Sequence, residues 1–212
     1  AETLLRKVLE LAWNDVLLKF GPPCCVVDGA LRQAGFAIVA YGKLGGIELN
    51  YGSDLDLVFL HDSAGEQPFT TGPRPIDNAT FFAKLVQRII YWLTTRTGAG
   101  DLYEVDTRLR PSGRAGLLVS SFEAFAEYQQ HQAWTWEHQA LARARVVAGP
   151  ALLAERFQTI RREVLQRERD PAALRQDVCA MRERMRAELD ASTAKVFDLK
   201  QGQGGIADIE FM

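Results

Sequence analysis

The chain has 212 residues, 47% apolar and 25% charged, with 25 basic against 27 acidic side chains and a net charge of −2. That length suits one large domain or two small ones, and the composition is that of an ordinary soluble globular protein. The near-neutral balance gives no global basic field for nucleic acid, and no apolar run approaches the roughly 20 residues of a membrane span. Cys24 and Cys25 are adjacent and Cys179 is left over, so the cysteines make no disulfide framework. A reducing, cytoplasmic setting is the expectation. The chain begins without Met and stops at Ile206-Ala207-Asp208-Ile209-Glu210-Phe211-Met212. It reads as a piece of a longer polypeptide.

In chain order, apolar residues from Leu4 to Phe20 recur at helical spacing and are closed by Gly21-Pro22-Pro23, predicting a helix over 2–20. Residues 24–35 are ambiguous. Phe36–Tyr41 reads as a short strand ending at Gly42. Gly45-Gly46 reads as a turn, and 54–61 as the returning strand. Residues 62–76, with Gly65, Pro68, Gly72, Pro73 and Pro75, read as a loop. Asp77 is the expected N-cap of a helix reaching Leu93 or Thr95. Residues 102–109 alternate like a third strand, and 116–119 are a candidate fourth. Ser120 with Glu123 has capping-box spacing for the next helix. The remainder is expected to be helical over 121–131, 133–146, from Pro150 onward, and from Asp170-Pro171 to about Leu189. In that last helix Leu174, Val178, Met181, Met185 and Leu189 form the apolar stripe, and the arginines between them are expected in solvent. The predicted organisation is an α/β unit over 1–119, led by the helix of residues 1–20, and a helical unit over 120–212, cut short at its C-terminus.

The most informative stretch is Ser53-Asp54-Leu55-Asp56-Leu57-Val58-Phe59. A strand sends residues i and i+2 to the same face, so Asp54 and Asp56 point together while Leu55, Leu57 and Phe59 enter a core. Two like charges on one face with no local partner call for a divalent cation with oxygen ligands, Mg²⁺ by chemistry. A solvated acidic face is the simpler reading of Asp-x-Asp alone. The second acidic strand changes that balance. On 102–109, Glu104, Asp106, Arg108 and Arg110 share a face. A third carboxylate, Asp106 by choice and Glu104 as runner-up, allows two Mg²⁺ ions, the arrangement suited to in-line displacement at phosphorus. The arginines beside it are then phosphate-binding forks. Gly42, Gly45, Gly46, Gly52 and Ser53 surround the acids in sequence, where a nucleoside triphosphate needs close backbone N–H groups. Lys43 adds a cation.

The stretch AYGKLGGIELNYGSDLDLVF, followed by LYEVDTRLRPSGRAGLLVSS, AWTWEHQALARARVV and QGGIADIEF, resembles the glutamine synthetase adenylyltransferase family from about residue 36 to the end. The resemblance implies an α+β fold: a DNA-polymerase-beta-like nucleotidyltransferase palm followed by a helical region. It implies Mg²⁺ on Asp54, Asp56 and Asp106, with ATP as substrate. The phosphate-binding signature is filled by Tyr41-Gly42-Lys43 or by Leu44-Gly45-Gly46. Enzymes of this family have two related halves, one adenylylating a tyrosine of glutamine synthetase and one removing AMP by phosphorolysis. Arg110-Pro111-Ser112-Gly113 and Ala133-Trp134-Thr135-Trp136-Glu137-His138 resemble the carboxy-terminal, adenylylating half. A PII-type signalling protein as regulator is likewise implied by resemblance. The rival readings are the removing half and a non-catalytic docking module.

Other polar residues carry weaker expectations. His61, His131 and His138 lack ligand spacing with the cysteines. One of Trp134 and Trp136 is expected in a core, since neighbours two apart on a helix cannot share a face, with base stacking as the alternative role. Arg143 and Arg145 are expected at the surface, with contact to phosphate or to the protein substrate as the alternative. Lys200, before the turn of Gly202–Gly205, is a candidate to approach a nucleotide in a fuller protein. Asp208 and Glu210 either cap a last helix or join the site.

Overall fold

The computed structural model of the chain describes residues 1–98 and 100–211. Among them the fold is mixed α and β, with two small sheets and eight α-helices.

Helix α1 (Glu2–Phe20) buries Leu5, Val8, Ala12 and Val16 on one stripe, as its periodicity predicted. The ambiguous segment forms β1 (Pro23–Val27) and β2 (Ala30–Gln33). With β5 (Glu66–Thr70) they make an antiparallel sheet in the order β2-β1-β5. Strand β5 corrects the expectation that 62–76 is all loop. It contains Pro68 and lies at a sheet edge, the position that tolerates a residue without an N–H.

The larger sheet carries the site. Strands β3 (Phe36–Ala40) and β4 (Leu55–His61) pair antiparallel, Ala40 opposite Leu57. Between them is α2 (Gly42–Gly45), a single helical turn where a plain Gly-Gly turn was expected. Helix α3 (Asn78–Thr94) is capped by Asp77, whose carboxylate accepts the Thr80 N–H at 2.8 Å.

The predicted strand over 102–109 shrinks to β6 (Val105–Asp106), parallel to β4. Asp106 is the cause. Its Oδ1 accepts the Arg108 N–H at 2.7 Å, a local turn that competes with the ladder. The expected strand over 116–119 is displaced to β7 (Ser120–Ser121), after a 3₁₀ turn at Gly113–Ala115. Ser121, not Ser120, caps α4 (Phe122–His131), accepting the Ala124 N–H at 3.1 Å.

The expected helix over 133–146 is α5 (Thr135–Leu141) followed by β8 (Arg145–Ala148), which pairs antiparallel with β3. The sheet order is therefore β6-β4-β3-β8, with β7 also on β4. Pro150, expected as the first residue of this helix, is instead the N-cap of α6 (Ala151–Leu165). Asp170 caps α7 (Pro171–Leu189). A short α8 (Ile206–Glu210) follows.

Alternation along β3 and β4 divides the interior in two. Leu55, Leu57 and Phe59 pack with Phe36 and Ile38 under α1 and α3. Val58 and Leu60, on the opposite face, pack with Ala37 and Val39 under Phe122, Phe125, Phe157 and Leu153 of α4 and α6. The sheet is thus covered by helices on both sides, which is why β4 is buried along its length after Asp56. None of the helices is long and apolar enough to cross a membrane, among the described residues.

Candidate active site

The site lies where β4 begins and its inward-facing row becomes charged. Asp56 and Asp106 are register partners across the parallel β4–β6 pair, and the Leu55 N–H donates to the Glu104 carbonyl at 2.8 Å. Side chains in register on adjacent strands lie side by side. Asp54, two residues before Asp56, shares its direction. One carboxylate oxygen from each of Asp54, Asp56 and Asp106 lies within 4.8 Å of the others.

The three acids are not equivalent. Burial raises the Asp56 pKa to about 6, and the charges of Asp54 and Asp106 push the same way. Asp106 is lowered instead, first by its hydrogen bond from Arg108. Arg108 Nε donates to Asp106 Oδ2 at 2.6 Å and Nη2 also contacts it. Asp56 therefore faces burial and like charges, while Asp106 is paired with Arg108.

Gly42 closes the other side of Asp56. Its φ is +51°, a left-handed conformation, and a Cβ there would overlap Asp56 Oδ2. Tyr41 N–H donates to the Asp56 carbonyl at 2.9 Å, tying the turn to the strand. Within α2 the Gly45 N–H goes to Tyr41 O and the Gly46 N–H to Gly42 O. The first-turn amides of Gly42, Lys43 and Leu44 have no intrahelical acceptor. Gly45 is required by packing, since a Cβ would come 2.5 Å from the Arg143 carbonyl and 2.7 Å from that of Ala40. Gly52, at φ +72°, and Ser53 belong to the turn before β4, where Ser53 Oγ accepts the Asn50 N–H at 3.1 Å.

The arginines do not form the shared face that the longer strand would have given. Arg110 turns back on its own loop, donating from Nη1 to Thr107 O at 2.8 Å and to Thr107 Oγ1 at 2.9 Å, and from Nε to Gly116 O at 3.3 Å. Arg110, Arg108, Arg114, Glu104 and Asp54 nevertheless line one polar cleft with Asp106.

Several residues differ from their sequence reading. Arg145, expected at the surface, donates from Nε to Gly45 O and from Nη2 to Leu44 O, both at 2.9 Å. It also pairs with Glu2 at 2.6 Å. It holds the end of α2, where carbonyls lack partners. Its signal was the run Arg145-Val146-Val147, whose β-branched pair fits a strand better than a helix end. Trp134 and Trp136 are both exposed, at 66% and 38%, correcting the expectation of one in the core. Arg182, expected in solvent, is buried and donates to Asp208 at 2.6 Å.

The model of the glutamate-ammonia ligase adenylyltransferase family matches residues 1–160. Curated relatives match along the whole chain. A bifunctional glutamine synthetase adenylyltransferase/adenylyl-removing enzyme of Thioalkalivibrio sulfidiphilus is 59% identical over 100% of this chain and 22% of its own length. Proteins of the same description from Methylococcus capsulatus and Nitrosococcus oceani are 56% and 54% identical over the same shares. The chain thus spans about a fifth of the length of these relatives. On its sequence over most of its length, this chain belongs to the glutamate-ammonia ligase adenylyltransferase family.

Proposed function

We propose that this chain is the catalytic part of a cytoplasmic, Mg²⁺-dependent nucleotidyltransferase that moves AMP from ATP to a tyrosine hydroxyl of glutamine synthetase, releasing pyrophosphate. The carrying observation is the convergence of Asp54, Asp56 and Asp106 within 4.8 Å. Their donor set fits Mg²⁺: all oxygen, all anionic, with Asp56 raised in pKa by burial and then by the charges of Asp54 and Asp106. We assign all three as ligands to two ions. When bound, the ions would supply charge neutralisation at the phosphoryl oxygens and a more acidic attacking hydroxyl.

The chain's own groups do the rest in this reading. The α2 turn meets the phosphates with the amides of Gly42 and Lys43 and the Lys43 ammonium, while Gly45 and Gly46 keep the turn tight. Ser53 holds the approach to Asp54. Arg108 and Arg110 border the leaving group from the polar cleft. The acceptor tyrosine, with an ordinary pKa of ~10, must lose its proton as it attacks. We assign its removal to Asp106, whose carboxyl is ionised at neutral pH and lies within reach of the other two acids. We read the sheet as the DNA-polymerase-beta-like palm, on the support of its parallel carboxylate-bearing pair beside a glycine turn. A PII-type protein as regulator belongs to the same reading. The cytoplasmic assignment is supported by three free cysteines, two of them buried.

The test is transfer of radiolabelled AMP from ATP to glutamine synthetase. The expected result is Mg²⁺-dependent labelling that Asp54→Ala, Asp56→Ala and Asp106→Ala each abolish. Wild-type labelling by any of the three would overturn the assignment. Phosphate-dependent release of ADP from adenylylated substrate would mark the opposite direction of reaction.

A further inference from the structure

The α2 turn ends against the preference of its own sequence. Glu48 N–H donates to Lys43 O at 2.7 Å and Ile47 N–H to Leu44 O at 3.3 Å, the paired bonds that close a helix when the residue just past it is left-handed. That residue is Ile47, at φ +62°. Glycine is the usual occupant, and a β-branched side chain is strained there. A strained conformation persists only where surrounding contacts impose it. Ile47 is 79% exposed, so the packing of its own side chain does not do so.

The contacts come from β8 and α1. Arg145 takes the two carbonyls at the end of the turn, Gly45 O from Nε and Leu44 O from Nη2, both at 2.9 Å. Arg143 Nη1 pairs with Glu48 at 3.3 Å, one residue past Ile47. Arg145 is itself oriented, since Nη2 also donates to Glu2 Oε1 at 2.6 Å. Glu2 stands in the first turn of α1. Arg6, one turn further on, donates from Nη2 to Glu2 Oε2 at 3.3 Å and from Nε to Val147 O of β8 at 3.1 Å. Helix α1 and strand β8 thus present one guanidinium in a fixed direction to α2. At its other end the turn abuts Asp56 through Gly42. A turn of four residues held at both ends fixes where Gly42 and Lys43 stand relative to the carboxylates.

We propose that Arg145, oriented by Glu2, is a positioning residue for nucleotide binding: it holds α2 in the strained ending that keeps Gly42 against Asp56 and Lys43 within reach of the phosphates. Arg145 acts through the turn and does not touch the nucleotide. This rests on the Mg²⁺–ATP reading of the site.

The experiment measures Mg²⁺–ATP affinity by calorimetry, and amide hydrogen exchange at Gly45 and Gly46 without ligand, on the purified chain and on variants shown to be folded by circular dichroism. Arg145→Met keeps the stem and removes the donors. It is expected to speed exchange at both amides and to weaken Mg²⁺–ATP about ten- to a hundredfold, the range for residues that orient a ligating group. Glu2→Gln is expected to change both readouts in the same sense by less. Adding Ile47→Gly to Arg145→Met is expected to recover part of the affinity, because glycine takes the left-handed ending without strain. Arg88→Met is the control. It cuts the Arg88–Asp15 pair, about 20 Å along α1 from Glu2, and is expected to lower the melting temperature while both readouts stay unchanged. Wild-type affinity or wild-type exchange in Arg145→Met would overturn the inference, as would an equal loss of affinity in Arg88→Met. No recovery on adding Ile47→Gly would overturn the positioning role in favour of direct contact with the phosphates. Glu2→Gln unchanged in both readouts would overturn the part given to Glu2. A wild-type chain that does not bind Mg²⁺–ATP would overturn the nucleotide reading of the site, and this inference with it.

Discussion

Asp56 and Asp106 are register partners, yet their carboxyl groups are driven in opposite directions. Asp56 is raised to about 6 by burial and like charges, and Asp106 is lowered by Arg108. The pattern Asp-x-Asp with a third acid was legible in sequence, since period-two spacing alone sets the direction of each side chain. The partner of Asp106 was not, because Arg108 reaches it through a turn that ends the strand. His61 shows a different environment for a titratable group. It stacks on Phe82 at 4.6 Å and its Nδ1 accepts the Ser63 N–H at 3.2 Å. Burial lowers its pKa to about 4 from the usual 6.5, so the fold keeps it neutral. The unfolded chain binds that proton more readily. Stability is therefore complete above about pH 6.5 and declines as the pH falls toward 4, by up to about 3 kcal/mol from this group. Thermal melts of wild type and His61→Phe from pH 7.5 to 4 should converge as the pH falls, the wild type losing stability faster. Parallel curves would contradict the assignment.

At the scale of elements, α1, α3 and α7 were readable because long periodic stripes and Asp or Pro signals mark them. The short strands were not. β6 spans two residues and β8 four, too few for a pattern to accumulate, and their existence depends on β4 and β3 as templates. The α2 turn is the element on which the site depends. Gly42→Ala adds a Cβ at φ +51° against the Asp56 carboxylate. A loss of about 1–3 kcal/mol is expected, together with weakened Mg²⁺–ATP binding, measured by denaturant melts and calorimetry. A near-neutral Gly42→Ala would show that the close approach to Asp56 is not required. Asp77→Ala at the start of α3 should cost about 1 kcal/mol with nucleotide binding unchanged, since the cap is remote from the carboxylates. It is the control for stability losses that do not reach the site.

Across the whole molecule, one sheet separates two apolar layers, and β4 is common to both. Asp56 shares a face with Val58 and Leu60, whose row is covered by α4 and α6. Asp54 and Asp56 occupy the beginning of that row, Asp54 exposed and Asp56 half-buried, with Asp106 beside them on β6. Phe82 is fully buried against Phe36, Phe81 and His61 in the opposite layer. Phe82→Ala is expected to lose about 3–5 kcal/mol on a denaturant melt, and a loss below 1 kcal/mol would deny that layer its role in holding the sheet. The two-layer plan was implicit in the alternation of β3 and β4, but the covering helices were not assignable from sequence. Periodicity identifies an apolar face without saying which face of a sheet it meets. The most direct measurement is calorimetric titration of Mg²⁺–ATP into the wild-type chain and into Asp54→Asn/Asp56→Asn. Binding by the wild type that the double variant loses, with its fold intact by circular dichroism, is the expected result. Equal affinity in both proteins would show that the carboxylate cluster does not hold the metal–nucleotide complex.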